Sequence, residues 1–155
     1  MKTENQNFQK HRVHETLAHS YSLCFALFLA GAGLDIAFNF KVSDSFLMAP
    51  IGVFFLIFGT FLILWAQKTS RNLKKENISK ETFYHGPYKY TRGPTHWGIF
   101  FLIIGFGMIV NTLFIILSAL VSLLVSKFTF LDKQEKLLEE KYGAPYREYK
   151  KTVKF

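Results

Sequence analysis

Residues 46–66 read FLMAPIGVFFLIFGTFLILWA and contain no charged side chain. A helix needs about 20 consecutive apolar residues to cross the hydrocarbon core of a bilayer, and this stretch has that length. Gly52 and Gly59 interrupt its large side chains, as Gly98 and Gly105 do in a later block. Small residues at helical spacing let two backbones approach closely in lipid. The stretch therefore predicts a membrane-spanning helix with one close-packed face.

Three further apolar blocks lie at residues 17–40, 97–110 and 112–129. The polar residue Asn111 divides what would otherwise be a block too long for one helix, so we expect a helical hairpin there. The chain is 50% hydrophobic and has 18 phenylalanines, which is more than a soluble core of this size needs. The sequence therefore predicts an all-α polytopic membrane protein with about four transmembrane helices.

The first apolar block has two interpretations. Ala26, Ala30, Gly33 and Ala37 recur at helical spacing, which predicts a second close contact between helices. The alternative is a cleaved signal peptide, because a basic leader precedes the block. We favour a retained helix, because the polar leader is long for a signal peptide. The later blocks hold the protein in the membrane in either case.

The distribution of Lys and Arg predicts the orientation. Residues 67–92 carry seven such residues, whereas residues 41–45 carry one, and basic loops remain in the cytoplasm. We therefore expect both termini in the cytoplasm, and the small size fits a bacterial inner membrane. The net charge of +8 then reflects topology and attraction to anionic membrane lipids. No nucleic-acid-binding motif accompanies this charge, so nucleic acid is not an expected partner.

The composition of residues 84–96, here called the strap, predicts an irregular backbone. Gly86-Pro87 and Gly93-Pro94 forbid one continuous helix across it. Irregular backbone beside a bilayer is tolerated only where it is buried in protein or lines a cavity. The strap is therefore predicted to form the wall of a pocket at the cytoplasmic interface.

Residues 131–155 are predicted to complete a single membrane domain over residues 1–155. Leu138 and Tyr142 lie on one stripe of an amphipathic interfacial helix, and Gly143 is placed to end it. The basic and aromatic tail after this helix is expected to lie on the lipid headgroups. Cys24 is the single cysteine, so no disulfide framework or metal centre is expected from it.

Two motifs carry a resemblance over residues 84–155. The first resembles a Gly-Pro-Tyr-x-Tyr-x-Arg-His-Pro-x-Tyr-x-Gly strap, and its matches here are Gly86, Pro87, Tyr88, Tyr90, Arg92, Pro94 and Gly98. The second resembles a Glu-bearing helix that ends in Phe/Tyr-Gly, with matches at Glu135, Leu138, Tyr142, Gly143, Tyr146, Tyr149 and Val153. Both motifs, in this order around a helical hairpin, resemble the isoprenylcysteine carboxyl methyltransferase and phospholipid methyltransferase family.

Two departures from the family's pattern matter. Gly93 replaces the family's His, and His96 lies close enough in sequence to replace part of its role. Phe130 stands where the carboxyl methyltransferases carry an Arg thought to hold the substrate carboxylate. The resemblance therefore implies a membrane methyltransferase whose acceptor is not a prenylcysteine carboxylate.

The resemblance implies S-adenosylmethionine as methyl donor and a lipophilic small molecule or lipid as acceptor. A sulfonium cofactor with an ammonium group favours carboxylate partners, and Glu135 and Glu139 lie one turn apart on one helical face. Arg92 has the planar fork that binds a carboxylate. The residues expected to bind the cofactor are Tyr88, Tyr90, Arg92, His96, Glu135, Glu139 and Tyr146.

Other interpretations of these residues stay open. Arg92 could be a topology anchor, the tyrosines an interfacial belt, and Glu139 a solvated surface charge. His96 and Glu135 are the candidates for a catalytic role, because a His accepts a proton near neutral pH and Glu135 matches the closing motif.

Two other functions also remain. One is a reductase of the sterol type, although no Gly-x-Gly-x-x-Gly turn is present. The other is a non-enzymatic membrane protein of the same fold, which Gly93 keeps open. A binding experiment separates the three functions. An S-adenosyl compound should bind to a methyltransferase, a nicotinamide to a reductase, and neither to a non-enzymatic protein.

Overall fold

The computed structural model describes residues 2–43, 45–71 and 80–154. These residues are helical almost throughout, and the only β contact among them is an isolated bridge between Lys41 and Thr112. The helices are α1 (Lys2–Phe38), α2 (Met48–Arg71), α3 (Lys80–Phe83), α4 (Pro94–Ile109), α5 (Leu113–Val125), α6 (Asp132–Tyr142) and α7 (Ala144–Thr152). A 3-10 turn covers Gly86–Lys89, and a π-helical segment covers Ser126–Leu131.

Three described helices are long and apolar enough to cross a membrane, namely Ala18–Phe38 within α1, Met48–Arg71 and Leu113–Tyr142. The fourth apolar helix, Pro94–Ile109, has 16 residues and is about 24 Å long at 1.5 Å per residue. That is slightly shorter than a hydrocarbon core of about 30 Å. The prediction of an all-α polytopic membrane protein is confirmed.

The glycines of α2 and α4 bring these helices into direct backbone contact. A Cβ atom built on Gly52 would lie 2.6 Å from the carbonyl oxygen of Gly105, and one on Gly59 would lie 2.7 Å from that of Gly98. The two pairs run in opposite order along the two helices, so α2 and α4 are antiparallel. The predicted role of these four glycines is confirmed.

The small-residue stripe predicted for α1 is wrong. A Cβ atom added to Gly33 would meet no other atom within 4 Å, and Ala26, Ala30 and Ala37 are exposed. The close contact is made instead by Gly31, whose Cβ would lie 2.8 Å from the carbonyl oxygen of Phe114. Sequence spacing alone does not distinguish the lipid-facing stripe of a helix from the packed one.

At one end of the bundle, here called the loop end, α1 and α4 stop at left-handed asparagines. Asn39 has a φ of 51° and Asn111 a φ of 56°, a conformation that Asn adopts more readily than most residues. The Asn111 side chain accepts hydrogen bonds from the backbone N–H groups of Val42 and Ser43. The predicted division of the third apolar block at Asn111 is confirmed, because α4 ends at Ile109.

At the opposite end, here called the strap end, α5 continues without a loop through the π-helical segment into α6. The predicted amphipathic helix is therefore an extension of the last spanning helix. It stops at Gly143, as predicted, where a φ of 67° suits a residue without a Cβ atom. The chain then reverses into α7, whose Tyr146 and Tyr149 are buried. The tail therefore packs on protein and does not lie only on headgroups.

Candidate functional site

Four charged side chains meet at the strap end. Arg92 Nη1 lies 2.7 Å from Glu135 Oε1, and Lys150 Nζ lies 2.8 Å from Glu135 Oε2. The same Lys150 Nζ lies 2.8 Å from Glu139 Oε1. Glu135 is only 2% exposed, so its charge is held by these two cations and not by water. The charged cluster of Arg92, Glu135, Glu139 and Lys150 is formally neutral.

Arg92 and Glu135 lie close together but do not form a well-aligned hydrogen bond. Among the described residues, neither Nε nor Nη1 of Arg92 has a hydrogen-bond partner, and neither does Glu135 Oε1. The short distance is therefore a charge contact with poor hydrogen-bond angles. Buried donors without partners are costly, and a guanidinium fork satisfies a carboxylate through two parallel bonds. The free donors of Arg92 fit a bound carboxylate.

The strap holds Arg92 in place through its backbone. Proline at the first position of α4 starts that helix immediately after Gly93, because its fixed φ suits the first helical turn. The backbone N–H of Arg92 donates to the carbonyl oxygen of Lys154, 3.3 Å away. The strap is therefore tied to the C-terminal residues as well as to α4.

An aromatic cluster covers the charged cluster. Its buried members are Phe83, Tyr146, Tyr149 and Val153, with Tyr84, Tyr88, Leu138 and Tyr142 packed around them. The Tyr149 hydroxyl donates a hydrogen bond of 2.7 Å to the backbone carbonyl oxygen of Tyr88. This bond fastens helix α7 to the strap.

Burial raises the pKa values of two tyrosines in this aromatic cluster. It raises the pKa of Tyr146, and the negative charge of Glu135 adds to the effect. It also raises the pKa of Tyr149, with the neighbouring Tyr88 as the next cause. The hydrogen bonds of Lys150 to Glu135 and then Glu139 raise the pKa of its ammonium group. The tyrosines therefore remain neutral and Lys150 remains charged.

The structure brings together most of the site residues predicted from the sequence. Arg92, Glu135 and Glu139 form the charged cluster, while Tyr146 is buried against it and Tyr88 lies in the aromatic cluster. These residues come from the strap, α6 and α7. The structure therefore places residues of the two sequence motifs side by side.

Two of the predicted residues lie elsewhere. Tyr90 is 74% exposed and belongs to neither cluster. His96 is buried, with Nε2 3.3 Å from the Ser20 hydroxyl of α1, and Ser20 in turn contacts Ser126. His96 therefore belongs to a polar contact between α1, α4 and the π-helical segment. A cavity of about 10 Å³ adjoins it, which is close to the minimum for one water molecule.

Lys150 was not predicted from the sequence as a member of the site. It was included in the basic tail, although Tyr146, Tyr149, Lys150 and Val153 follow the i, i+3, i+4, i+7 spacing of one helical face. That spacing was the available signal for α7. Phe83, which lies before the strap, carried no comparable signal.

A separate groove runs between α1 and α6 and has a volume of about 830 Å³. Its α6 wall includes Lys133, Lys136, Leu137 and Glu140. At 100° per residue these positions lie on the side of α6 opposite Glu135. Helix α6 therefore separates the groove from the charged cluster.

The charged cluster offers both halves of a site for a zwitterion. The unsatisfied donors of Arg92 suit a carboxylate, and Glu135 and Glu139 already hold an ammonium between them. A free amino-acid group carries these two charges on one carbon. The fold and the site together define a helical membrane protein with a neutral charge cluster around the buried Glu135 at one end of the bundle.

A comparison with models of known protein families identifies the family of this protein. The family model described as phospholipid methyltransferase matches residues 47–145, which is more than half of the chain, and the chain belongs to that family. The match covers the strap and the charged residues of α6. No curated protein and no solved structure matches the chain. The family indicates a membrane methyltransferase.

Proposed function

We propose that the protein transfers a methyl group from S-adenosylmethionine to a lipophilic acceptor at the membrane interface. The observation that supports this most is the buried pair of Arg92 and Glu135, whose guanidinium has unsatisfied donors. Together with Glu139, the pair matches the charges of the cofactor's amino-acid end. The family assignment supports the same chemistry.

In this proposal Arg92 binds the cofactor's carboxylate and Glu135 its ammonium, with Glu139 beside it. Tyr146 and Tyr88 supply apolar walls that exclude water, which strengthens charge-assisted bonds. When bound, S-adenosylmethionine supplies a methyl group already activated by its positive sulfur. The protein then has to align donor and acceptor and keep water out, so no residue need form a covalent intermediate.

The acceptor is proposed to be a membrane lipid or another lipophilic molecule. Arg92 precedes α4 by two positions, and Glu135 lies in α6, the polar end of the helical run that begins with α5. The site therefore lies where a bilayer molecule and a polar cofactor can meet. Phe130, in place of a cationic side chain, argues against a prenylcysteine carboxylate. His96 is the candidate proton acceptor if the reaction releases a proton.

The site is proposed to face the cytoplasm of a bacterial inner membrane, with both termini on that side. The basic residues support this, since Lys68 and Arg71 at the end of α2, Lys89 and Arg92 of the strap, and the basic tail lie at the strap end. S-Adenosylmethionine is a polar cytoplasmic molecule, so this orientation also gives the cofactor access.

A second candidate is a non-enzymatic member of the same family. Gly93 favours it, because the family's His is absent from the strap and the buried His96 contacts Ser20 instead. In this candidate function, the charge pairing stabilises the fold and does not bind a ligand.

Calorimetry in detergent separates the candidates. Titration with S-adenosylhomocysteine is expected to show one binding site, and titration with NADPH is expected to show none. NADPH binding alone would support a reductase. Binding of neither compound would support the non-enzymatic candidate and refute the methyltransferase proposal.

A further inference from the structure

We propose that Lys150 competes with the ligand's ammonium group for Glu135 and Glu139, and so sets the affinity and the ammonium selectivity of this site. The proposal rests on the proposed function, because it concerns the amino-acid end of the same cofactor. Lys150 belongs to neither of the two sequence motifs. Its role follows from its position between two carboxylates.

The geometry around Lys150 is that of an occupied ammonium site. Its Nζ lies 2.8 Å from Glu135 Oε2 and 2.8 Å from Glu139 Oε1. A primary ammonium has three donors and no acceptor, so two carboxylate oxygens at this distance are well-matched partners. The α-ammonium of an amino acid has the same donors and the same charge. The two cations therefore require the same oxygens.

Lys150 is also the partner that can leave. Its side chain is 37% exposed, whereas that of Arg92 is 17% exposed and that of Glu135 is 3% exposed. A lysine side chain is a flexible four-carbon stem with a strongly hydrated end. It can swing into water, where its charge is solvated. Arg92 cannot leave as readily, because its side chain is less exposed and its guanidinium contacts the buried Glu135.

Charge balance favours an exchange of one cation for another. With Lys150 in place, Arg92 and Lys150 neutralise Glu135 and Glu139. If Lys150 left alone, two neighbouring carboxylates would share only one guanidinium. An arriving ammonium replaces the positive charge that Lys150 takes away from the two carboxylates, whereas an analogue without an ammonium does not. Ligands that lack the ammonium therefore cannot displace Lys150.

Helix α7 couples this exchange to the cover of the site. Lys150 directly follows Tyr149, whose hydroxyl is bonded to the carbonyl oxygen of Tyr88. Lys150 therefore closes the site in the free protein without a new element having to fold. The ligand's ammonium replaces the lysine while the tyrosines remain in position.

The test compares Lys150→Met with the parent by calorimetry. Methionine keeps an unbranched side chain and removes the charge. S-Adenosylhomocysteine is expected to bind Lys150→Met about tenfold more tightly, which corresponds to about 1.4 kcal/mol. 5′-Methylthioadenosine, which lacks the amino-acid end, is expected to bind both proteins equally. Lys151→Met is the matched control, because Lys151 is exposed on the same helix.

Each result decides the proposal. Unchanged or weaker binding of S-adenosylhomocysteine to Lys150→Met, with binding to the parent intact, would overturn the role of Lys150 and leave the proposed function standing. Tighter binding of both ligands would show a general opening of the site and would also overturn it. Absence of binding to parent and variant alike would refute the proposed function, and this inference with it. Lys150→Arg keeps the charge and holds carboxylates more firmly, so it should bind S-adenosylhomocysteine less tightly than the parent; tighter binding would overturn the role of Lys150.

Discussion

Gly52 of α2 lies against Gly105 of α4 with no room for a side chain between them, since a Cβ atom on Gly52 would be 2.6 Å from the Gly105 carbonyl oxygen. This oxygen belongs to the backbone, so it cannot move aside as the end of a side chain could. We therefore expect Gly52→Ala to lower the free energy of unfolding by about 1 to 3 kcal/mol. Gly33→Ala is the control, because nothing lies near Gly33. Equal thermal stability of the two variants in detergent would contradict this packing.

Glu135→Gln should weaken the binding of S-adenosylhomocysteine. The substitution keeps the size of the side chain and removes the charge that pairs with an ammonium. The loss of a charge-assisted bond in a buried site costs about 1.5 to 3 kcal/mol, which is a factor of about ten or more in the dissociation constant. Glu140→Gln provides the comparison, because Glu140 is exposed and lines the groove on the other side of α6. If calorimetry gives the parent's affinity for both variants, Glu135 is not a ligand-binding residue.

Asp35→Ala should destabilise the loop end. The carboxylate of Asp35 is buried in α1 and accepts hydrogen bonds from the backbone N–H groups of Phe114 and Ile115, in the first turn of α5. Alanine leaves both donors without this partner, at a cost of about 1 to 3 kcal/mol. Asp35→Asn keeps one acceptor oxygen and should lose less. Thermal unfolding that ranks the asparagine variant below the alanine variant would argue against the capping role.

Alkaline pH should destabilise the strap end. Burial raises the pKa of Tyr146 and Tyr149 above the ordinary value of 10.0, so the folded protein keeps both protons where the unfolded chain loses them. The stability that these groups contribute is complete below pH 10 and declines as the pH rises further. Unfolding temperatures at about pH 9 and about pH 11 should therefore differ more for the parent than for Tyr146→Phe. An equal difference would show that Tyr146 does not contribute.

The two ends of the bundle should lie on opposite sides of the membrane. In a Cys24→Ser background, an impermeant thiol reagent applied to intact cells should modify Ser45→Cys at the loop end and leave Lys89→Cys at the strap end unmodified. Both positions are exposed, so accessibility within the protein does not decide the result. Labelling of Lys89→Cys alone would place the strap outside the cell and refute the proposed orientation.

Much of the fold was predictable because a spanning helix has a simple signature. An uninterrupted apolar run, such as residues 46–66, and a polar break at Asn111 are sufficient to place helices and their ends. Helix contacts were less predictable. The spacing of Gly52 and Gly59 matched the packed face of α2, but the same argument selected the exposed side of α1, because lipid accepts small residues as readily as a neighbouring helix does.

The site was predictable only where residues belong to the motifs. Arg92 and Glu135 were selected from separate stretches, and the structure places them 2.7 Å apart. Lys150 was not selected, because a basic tail after a spanning helix is adequately explained by topology alone. His96 was selected for its place in the strap, yet it does not belong to the charged cluster. Its helical position turns it towards Ser20.

The uninterrupted course of α5 into α6 links the site to the dimensions of the surrounding bilayer. The helical run Leu113–Tyr142 has 30 residues and is about 45 Å long, with Glu135 near one end and no hinge loop before it. The depth of this carboxylate is therefore determined by how the apolar part of the run matches the hydrocarbon thickness. Mismatch is relieved by tilting of the helix or by local thinning of the lipid. A thicker or thinner membrane would accordingly raise or lower the charged cluster relative to the headgroups.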